Sequence, residues 1–203
     1  MAVGEYALIT LIQLKTYMKL TIDDNDELLE NLIDRTTSLF EDFTSRNLKA
    51  RDYSYDSESD DYDQDNAVLD GNDKNQIILP QYPVNSVSTL RINEVEISAR
   101  AGYTQGYIID RNTGILRLSG YVFSQGMANI EIEYNAGYSS VPDTLIQACI
   151  EQSAWKYKQS VPGGALLGVN SRQLADGSVS YATKELLPEV RMVLEKYKKR
   201  FAL

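Results

Sequence analysis

The sequence predicts an α+β fold in which N-terminal and C-terminal helices form a bundle, with a small, mainly antiparallel β-sheet inserted between them. Three observations carry this. An apolar stripe at helical spacing runs from Leu28 to Phe43. Between Gln76 and Tyr134 the pattern switches to short alternating runs joined by hairpin-length turns. Helical spacing returns after Val141-Pro142-Asp143 and again after Leu187-Pro188. The expected division is a helical part over 1–50 and 138–203 and an inserted β domain over 51–137. The helical part includes a mobile linker at 159–185.

In chain order, Thr10 is the expected cap of a short helix, with Gln13 completing a capping box; Leu11, Leu14, Tyr17 and Met18 follow at helical spacing. Asp24, with Glu27 three residues on, is the expected cap of a longer helix carrying Leu28, Leu29, Leu32, Ile33, Thr36, Leu39, Phe40 and Phe43. That helix is expected to stop between Ser45 and Asn47. The segment Asp52 to Asp73 holds nine acids and no base, with Tyr53, Tyr55 and Tyr62 among them. An edge strand is expected near Tyr53-Ser54-Tyr55-Asp56 and a solvated loop beyond, because such charge density resists packing.

Strands are expected at Gln76 to Leu79, Val84 to Ile92, Val95 to Ser98, Tyr107 to Ile109, Ile115 to Leu118 and Ala128 to Tyr134. In the last, Ile130, Ile132 and Tyr134 share one face and Glu131 and Glu133 the other. The next helix carries Leu145, Ile146, Cys149, Ile150, Ser153, Ala154 and Tyr157. Gly163-Gly164 and Gly168 read as a hinge, and Ser178 to Ala182 as a short strand. The last helix has Pro in its first turn, an apolar face of Val190, Val193, Leu194 and Tyr197, and a basic end suited to its dipole.

Composition excludes several functions. The chain has 203 residues, no histidine and one cysteine. Without histidine there is no Ser-His-Asp or Cys-His nucleophile and no His metal ligand. One cysteine allows no internal disulfide and no Cys-cluster metal site, so folding in a reducing cytoplasm is expected. No run approaches the roughly 20 apolar residues of a membrane span, and the N-terminus lacks a signal-peptide pattern. The net charge of −9 is uneven: residues 1–141 hold 23 acids and 11 bases, residues 142–203 hold 6 and 9. An acidic chain is unsuited to gripping duplex DNA.

Local motifs give no catalytic, cofactor or metal site. Asp61-x-Asp63-x-Asp65 opens like a calcium loop, but Asn66 and Asn72 stand where Gly and Glu are needed. Gly163 to Gly168 lacks the Gly-Lys-Ser/Thr ending of a phosphate loop and follows a helix. Cys149 lies on an apolar helical face and reads as core. Glu131 and Glu133 read as a solvent face rather than an acid–base pair. Trp155, Tyr157 and Tyr181 are aromatic anchors of the kind enriched at interfaces and are the candidate subunit-interface residues.

Several stretches occur in a telling order: Leu14-Lys15-Thr16-Tyr17; Asp26 to Ile33, with Arg46 closing the helix; Leu79-Pro80-Gln81-Tyr82-Pro83-Val84-Asn85-Ser86-Val87; Gly114 to Leu118; Ile132 to Tyr138; and Val141 to Ala148 with Trp155 and Tyr157. Over about residues 10–200 this order resembles the head-tail connector (adaptor) family of tailed bacteriophages and gene-transfer particles. The acidic segment 52–73 is longer than in compact members. The resemblance implies a non-enzymatic ring, typically of twelve subunits, made in the host bacterial cytoplasm and placed at the virion's head–tail junction. Its implied partners are the portal protein, neighbouring copies, and a stopper or tail-completion protein, with DNA passing through unread and no membrane involved. It implies portal docking through the C-terminal segment, here Leu187, Val190, Leu194, Tyr197, Lys198, Lys199, Arg200 and Phe201. The rival readings are a stopper or tail-completion protein, which would be dominated by sheet, and a ligand-binding module built on the acidic loop.

Overall fold

The computed structural model describes residues 2–55, 66–160, 171–174, 177–180 and 186–199, with four helices and ten strands among them. The chain divides into a helical unit, Met1–Ser45 with Val141–Lys199, and a β unit over Arg46–Ser140.

In the helical unit, α1 (Leu11–Met18) opens on the Thr10–Gln13 capping box. Thr10 Oγ1 accepts from the Gln13 amide, and Gln13 Oε1 accepts from the Thr10 amide at 2.8 Å. The second helix, α2 (Asp26–Thr44), begins one residue later than expected: Asn25, not Asp24, is the N-cap, and no side chain caps it. Lys15 of α1 donates to Asp23 at 2.5 Å and to Asp26 at 2.7 Å, on either side of that cap. These partners, Asp23 first, raise the Lys15 pKa.

From α2, Leu29, Leu32, Ile33, Thr36, Thr37 and Phe40 are buried, while Leu28 lies at the exposed margin. Ser45, in the left-handed region, ends the helix. The third helix, α3 (Asp143–Ser160), packs on α1, α2 and α4 (Pro188–Tyr197). It buries Leu145, Ala148, Cys149, Ile150, Ala154 and Tyr157. Gln152 is also fully buried, and its Oε1 accepts from the Leu187 amide at 3.0 Å, securing the chain entering α4. Strands β9 (Ser171–Leu174) and β10 (Gly177–Ser180) form an antiparallel hairpin within the span expected as a linker. Residues 161–170 and 181–185 lie outside the described residues.

In the β unit the strands divide between two antiparallel sheets. The longest strand, β8 (Gly126–Ala136), is central in the larger one. It pairs along one edge with β4 (Val84–Ile92), which pairs on to β5 (Val95–Glu96). Along its other edge lie β1 (Arg51–Tyr53) and β2 (Val68–Gly71), one beyond the other. The smaller sheet has β7 (Ile115–Ser119) between β3 (Gln76–Ile78) and β6 (Gly106–Asp110). Val84, Leu90, Ile92, Ile130, Ile132 and Tyr134 from the larger sheet join Leu116 and Leu118 from the smaller in one core. Register shifts in β4 between Val84 and Ser86, and between Val87 and Thr89, let Val84, Val87 and Leu90 all point inward and leave Ser88 exposed.

The pairing partners explain the acidic segment. Tyr53 faces Tyr134 and Val68 faces Glu131. Between these two pairs the chain holds fourteen residues, 54–67, where β8 holds only Ile132 and Glu133. Relative to a continuous strand this is an insertion of 12 residues, an even number, so the inward–outward alternation survives it. The sequence reading of 52–73 as mostly solvated loop is corrected here: residues 68–71 are β2, with Leu69 packed against the core.

Candidate interaction surfaces

The C-terminal helix is positioned from its buried face outward. Pro188 occupies the first helical turn, where its missing N–H costs nothing. Val190 and Leu194 are 1% and 0% exposed, so they hold α4 to the helical unit. The Tyr197 hydroxyl meets that of Thr144 at 2.6 Å. The Lys199 amide donates to the Thr44 carbonyl, the last of α2, at 2.8 Å. Leu187 is half-buried. Arg200 and Phe201 lie outside the described residues.

The outward side of α4 carries charge and one apolar anchor. Arg191 Nε lies 3.4 Å from Glu195, and the Arg191 and Lys198 cations sit 5.8 and 5.6 Å from the Phe43 ring centre. Both contacts fall within cation–π reach. Met192 is 66% exposed, and Lys196 and Lys198 face solvent. Met192 stood outside the apolar stripe, so the sequence reading missed it. Of the aromatic candidates on α3, Trp155 is half-buried and Tyr157 is buried within the helical unit. Tyr181 lies outside the described residues.

A second cluster stands where the chain enters the β unit. Arg46 is 5% exposed, its guanidinium 3.8 Å from the Tyr82 ring centre and 5.9 Å from that of Tyr138. The same guanidinium donates to the Tyr82 carbonyl. Gln81 Oε1 accepts from the Asn47 amide at 2.9 Å, and Gln81 Nε2 donates to Asn66 at 3.2 Å. The returning chain lies alongside. The Tyr138 amide donates to the Leu48 carbonyl at 2.8 Å, and the Ala50 amide to the Tyr138 carbonyl at 3.1 Å. Gly137, at φ +110°, is required here because a Cβ would stand 2.5 Å from the Lys49 carbonyl oxygen. Leu79 to Val84, the stretch singled out in the sequence, thus helps fix the entry and exit of the β unit.

The remaining candidates for chemistry resolve into structure. Glu131 lies 3.7 Å from Arg91, and Glu133 accepts from the Thr89 hydroxyl at 3.0 Å. Each therefore has a cross-strand partner. Cys149 is fully buried, and burial pushes its thiol up to about 12 against the opposing hydroxyls of Ser153 and Thr37. Asp61, Asp63, Asp65 and Gly163 to Gly168 lie outside the described residues. Among the described residues no group of three or more His, Cys, Asp or Glu could hold a metal ion.

Comparisons with known proteins follow the whole chain. No curated protein matches it. Three solved structures share its fold. The neck of an empty gene transfer agent particle (computed with C6 symmetry) is 16% identical at a TM-score of 0.58, covering 100% of this chain and 95% of that one. The virion of a native gene transfer agent particle gives 18% and 0.59, with 100% and 95% coverage. The neck of the native particle, computed with C12 symmetry, gives 18% and 0.55, with 100% and 98% coverage. A family model described as head completion protein matches residues 7–200. The chain therefore belongs to the head completion protein family, as a structural, non-enzymatic virion component.

Proposed function

We propose that the chain is the head–tail adaptor: a ring subunit, in about twelve copies by the family's habit, that sits below the portal, extends the DNA channel and carries the stopper or tail. The observation that most supports this is the family match over residues 7–200. Fold likeness across the full length to chains in gene transfer agent necks, one of them computed with C12 symmetry, agrees with it. A stopper is the nearest alternative; the four helices speak for the adaptor, since stoppers are dominated by sheet.

In this reading the portal contacts the outward side of α4, Met192 with Lys196 and Lys198, and the tail beyond Lys199. Val190 and Leu194 keep that surface in place. A closed ring needs two unlike surfaces on each subunit, and the acidic residues 1–141 beside the basic 142–203 supply unlike charge. The net charge of −9 also lets DNA pass without adhering.

The test is light-scattering mass of the protein alone and mixed with its cognate portal, using the wild type and a Met192→Glu/Lys196→Glu variant. A surface variant is the right control, because removing α4 would take the buried Val190 and Leu194 out of the helical unit's core and expose what they pack on. A ring, or a portal complex that the variant loses, supports the adaptor. A monomer that ignores the portal in both forms overturns it.

A further inference from the structure

The two sheets of the β unit share one core, so each turns its other face away from that core, on opposite sides of the unit. The two outward faces carry opposite charge. On the larger sheet, cross-strand pairing sets Asp52 beside Asn135, Thr89 beside Glu133, and Arg91 between Glu131 and Glu96. That face therefore holds four acids, Asp52, Glu96, Glu131 and Glu133, against one base, Arg91. Arg91 lies 3.7 Å from Glu131. Asp52 accepts from Asn135 at 2.7 Å, and Glu133 from Thr89 at 3.0 Å. These neutral donors fix their carboxylates in place without cancelling the charge.

On the smaller sheet, Ile77, Tyr107, Ile109, Leu116 and Leu118 turn to the core, which leaves Gln76, Ile78, Ile108, Asp110, Ile115 and Arg117 outward. Beyond β6 the chain adds one more row. Ala99 bridges Tyr107 in parallel, and the Arg100 amide donates to the Tyr107 carbonyl at 2.9 Å. Arg100 thus runs alongside Ile108, which faces Arg117 across the sheet. The Arg100 Nε is shut from solvent with no hydrogen-bond partner among the described residues. Asp110, the one acid here, accepts from the Asn112 amide at 3.1 Å within the turn after β6. Segments 74–78 and 97–119, which build this sheet, hold Lys74, Arg100, Arg111 and Arg117 against that one acid. The rest of residues 1–141 hold 22 acids and 7 bases. Ile78 and Ile108 are 37% and 47% exposed, so the arginines stand beside apolar area.

We propose that the basic outward face of the smaller sheet docks on the acidic outward face of the larger sheet of a second copy of this chain. The two faces lie on opposite sides of one unit, so the contact is head-to-tail and repeats from copy to copy, closing a ring where the rotation allows. It rests on the adaptor reading and names the faces by which that ring closes, leaving α4 to the portal. The exposed isoleucines disfavour duplex DNA as the occupant, since a phosphate backbone offers them nothing apolar. The larger sheet does, in Val68 beside Glu131. A sheet face three strands wide and five residues long covers roughly 250 Å², against about 800 Å² per partner in a stable interface. The contact is too small to hold free copies together, and it acts among copies that the portal gathers.

The test is a charge exchange, read by light-scattering mass as complete rings on the portal. Arg100→Glu/Arg117→Glu makes both faces acidic, and Asp52→Lys/Glu133→Lys makes both basic. Either variant alone should form about tenfold fewer rings, because like charges now meet. An equimolar mixture should restore the wild-type yield, since alternating copies pair unlike faces all round, and an even number such as twelve closes. In parallel, Arg117→Lys keeps the charge and puts an amine on the basic face. Carbodiimide coupling in portal-bound rings of mixed isotope-labelled and unlabelled protein should join position 117 of one copy to Asp52, Glu131 or Glu133 of another. Wild-type ring yield from each reversal alone, a mixture no better than its components, or coupling only within a copy would overturn the proposal. Should a reversal lower the melting temperature, the coupling result decides. Failure of the adaptor reading would look different: the wild-type protein itself would not bind the portal.

Discussion

Removing residues 55–66 should leave the β unit intact, although it deletes 12 residues from within one sheet edge. The register allows it: joining Ser54 to Ala67 places Ser54 opposite Glu133 and Ala67 opposite Ile132, continuous with the pairs on either side. The Ile132 amide already donates to the Ala67 carbonyl at 2.8 Å. Bringing together the ends of a chain segment of this length costs about 2 kcal/mol of entropy, which the deletion returns. Against this stands the bond from Gln81 to Asn66, a net loss of about 1 kcal/mol. The balance is zero to about 1 kcal/mol in favour of the shortened chain, a rise of no more than roughly 4 °C for a protein of this size. Thermal unfolding by circular dichroism measures it, with hydrogen exchange at the Ile132 and Tyr134 amides as the local readout. A fall of more than about 8 °C, or lost protection at Ile132, would refute the claim that β1 and β2 are two parts of one interrupted strand. The deletion also removes six acids, taking the net charge from −9 to −3. If the shortened protein then binds duplex DNA at physiological salt, the adaptor proposal gains a role for this segment in keeping the channel non-adhesive.

Other perturbations follow from the packing. Arg46→Ala should destabilise the β unit by about 2–4 kcal/mol in urea unfolding, through the lost stack on Tyr82 and the lost donor to its carbonyl. Arg46→Lys should recover little of it, since an ammonium cannot stack as a planar guanidinium does. Leu194→Ala, at a site with no exposure, should cost about 3 kcal/mol and loosen α4, read as faster amide exchange at Lys199. Thr10→Ala removes one partner of the capping box and should cost about 1 kcal/mol in the same unfolding assay. Cys149 should resist thiol reagents at pH 8 until the protein unfolds. Its folded pKa is raised from 9.0 to about 12, so the stability it contributes is full below pH 9 and declines as the pH rises towards 12. A Cys149→Ala variant should lack that alkaline decline.

What the sequence could show was set by how local each determinant is. Thr10 and Gln13 satisfy each other three residues apart, so that cap is legible. The start of α2 is not, because its N-cap, Asn25, makes no side-chain capping bond that a local pattern could show. Alternation identified β8 outright. In β4 alternation cannot decide whether Val87 or Ser88 faces inward, since a register shift is defined only against the partner strand. Val68 and Leu69 were lost among acids because only their pairing with Ile130 and Glu131 marks them as strand. The apolar face of α4 was visible, but periodicity cannot tell a face that packs on its own chain from one awaiting a partner. Val190 and Leu194 turned inward, and Met192, outside the stripe, turned out. The bonds made by Asn129, Asp70 and Asp73 had no sequence signature, because they act across separations of up to 58 residues.

The most direct test of the adaptor assignment is electron microscopy of particles assembled with and without this chain. The assignment predicts that particles lacking it accumulate as tail-less heads that fail to retain their DNA, and that restoring it places a ring of density between portal and tail. Complete, tailed, DNA-filled particles in its absence would contradict it.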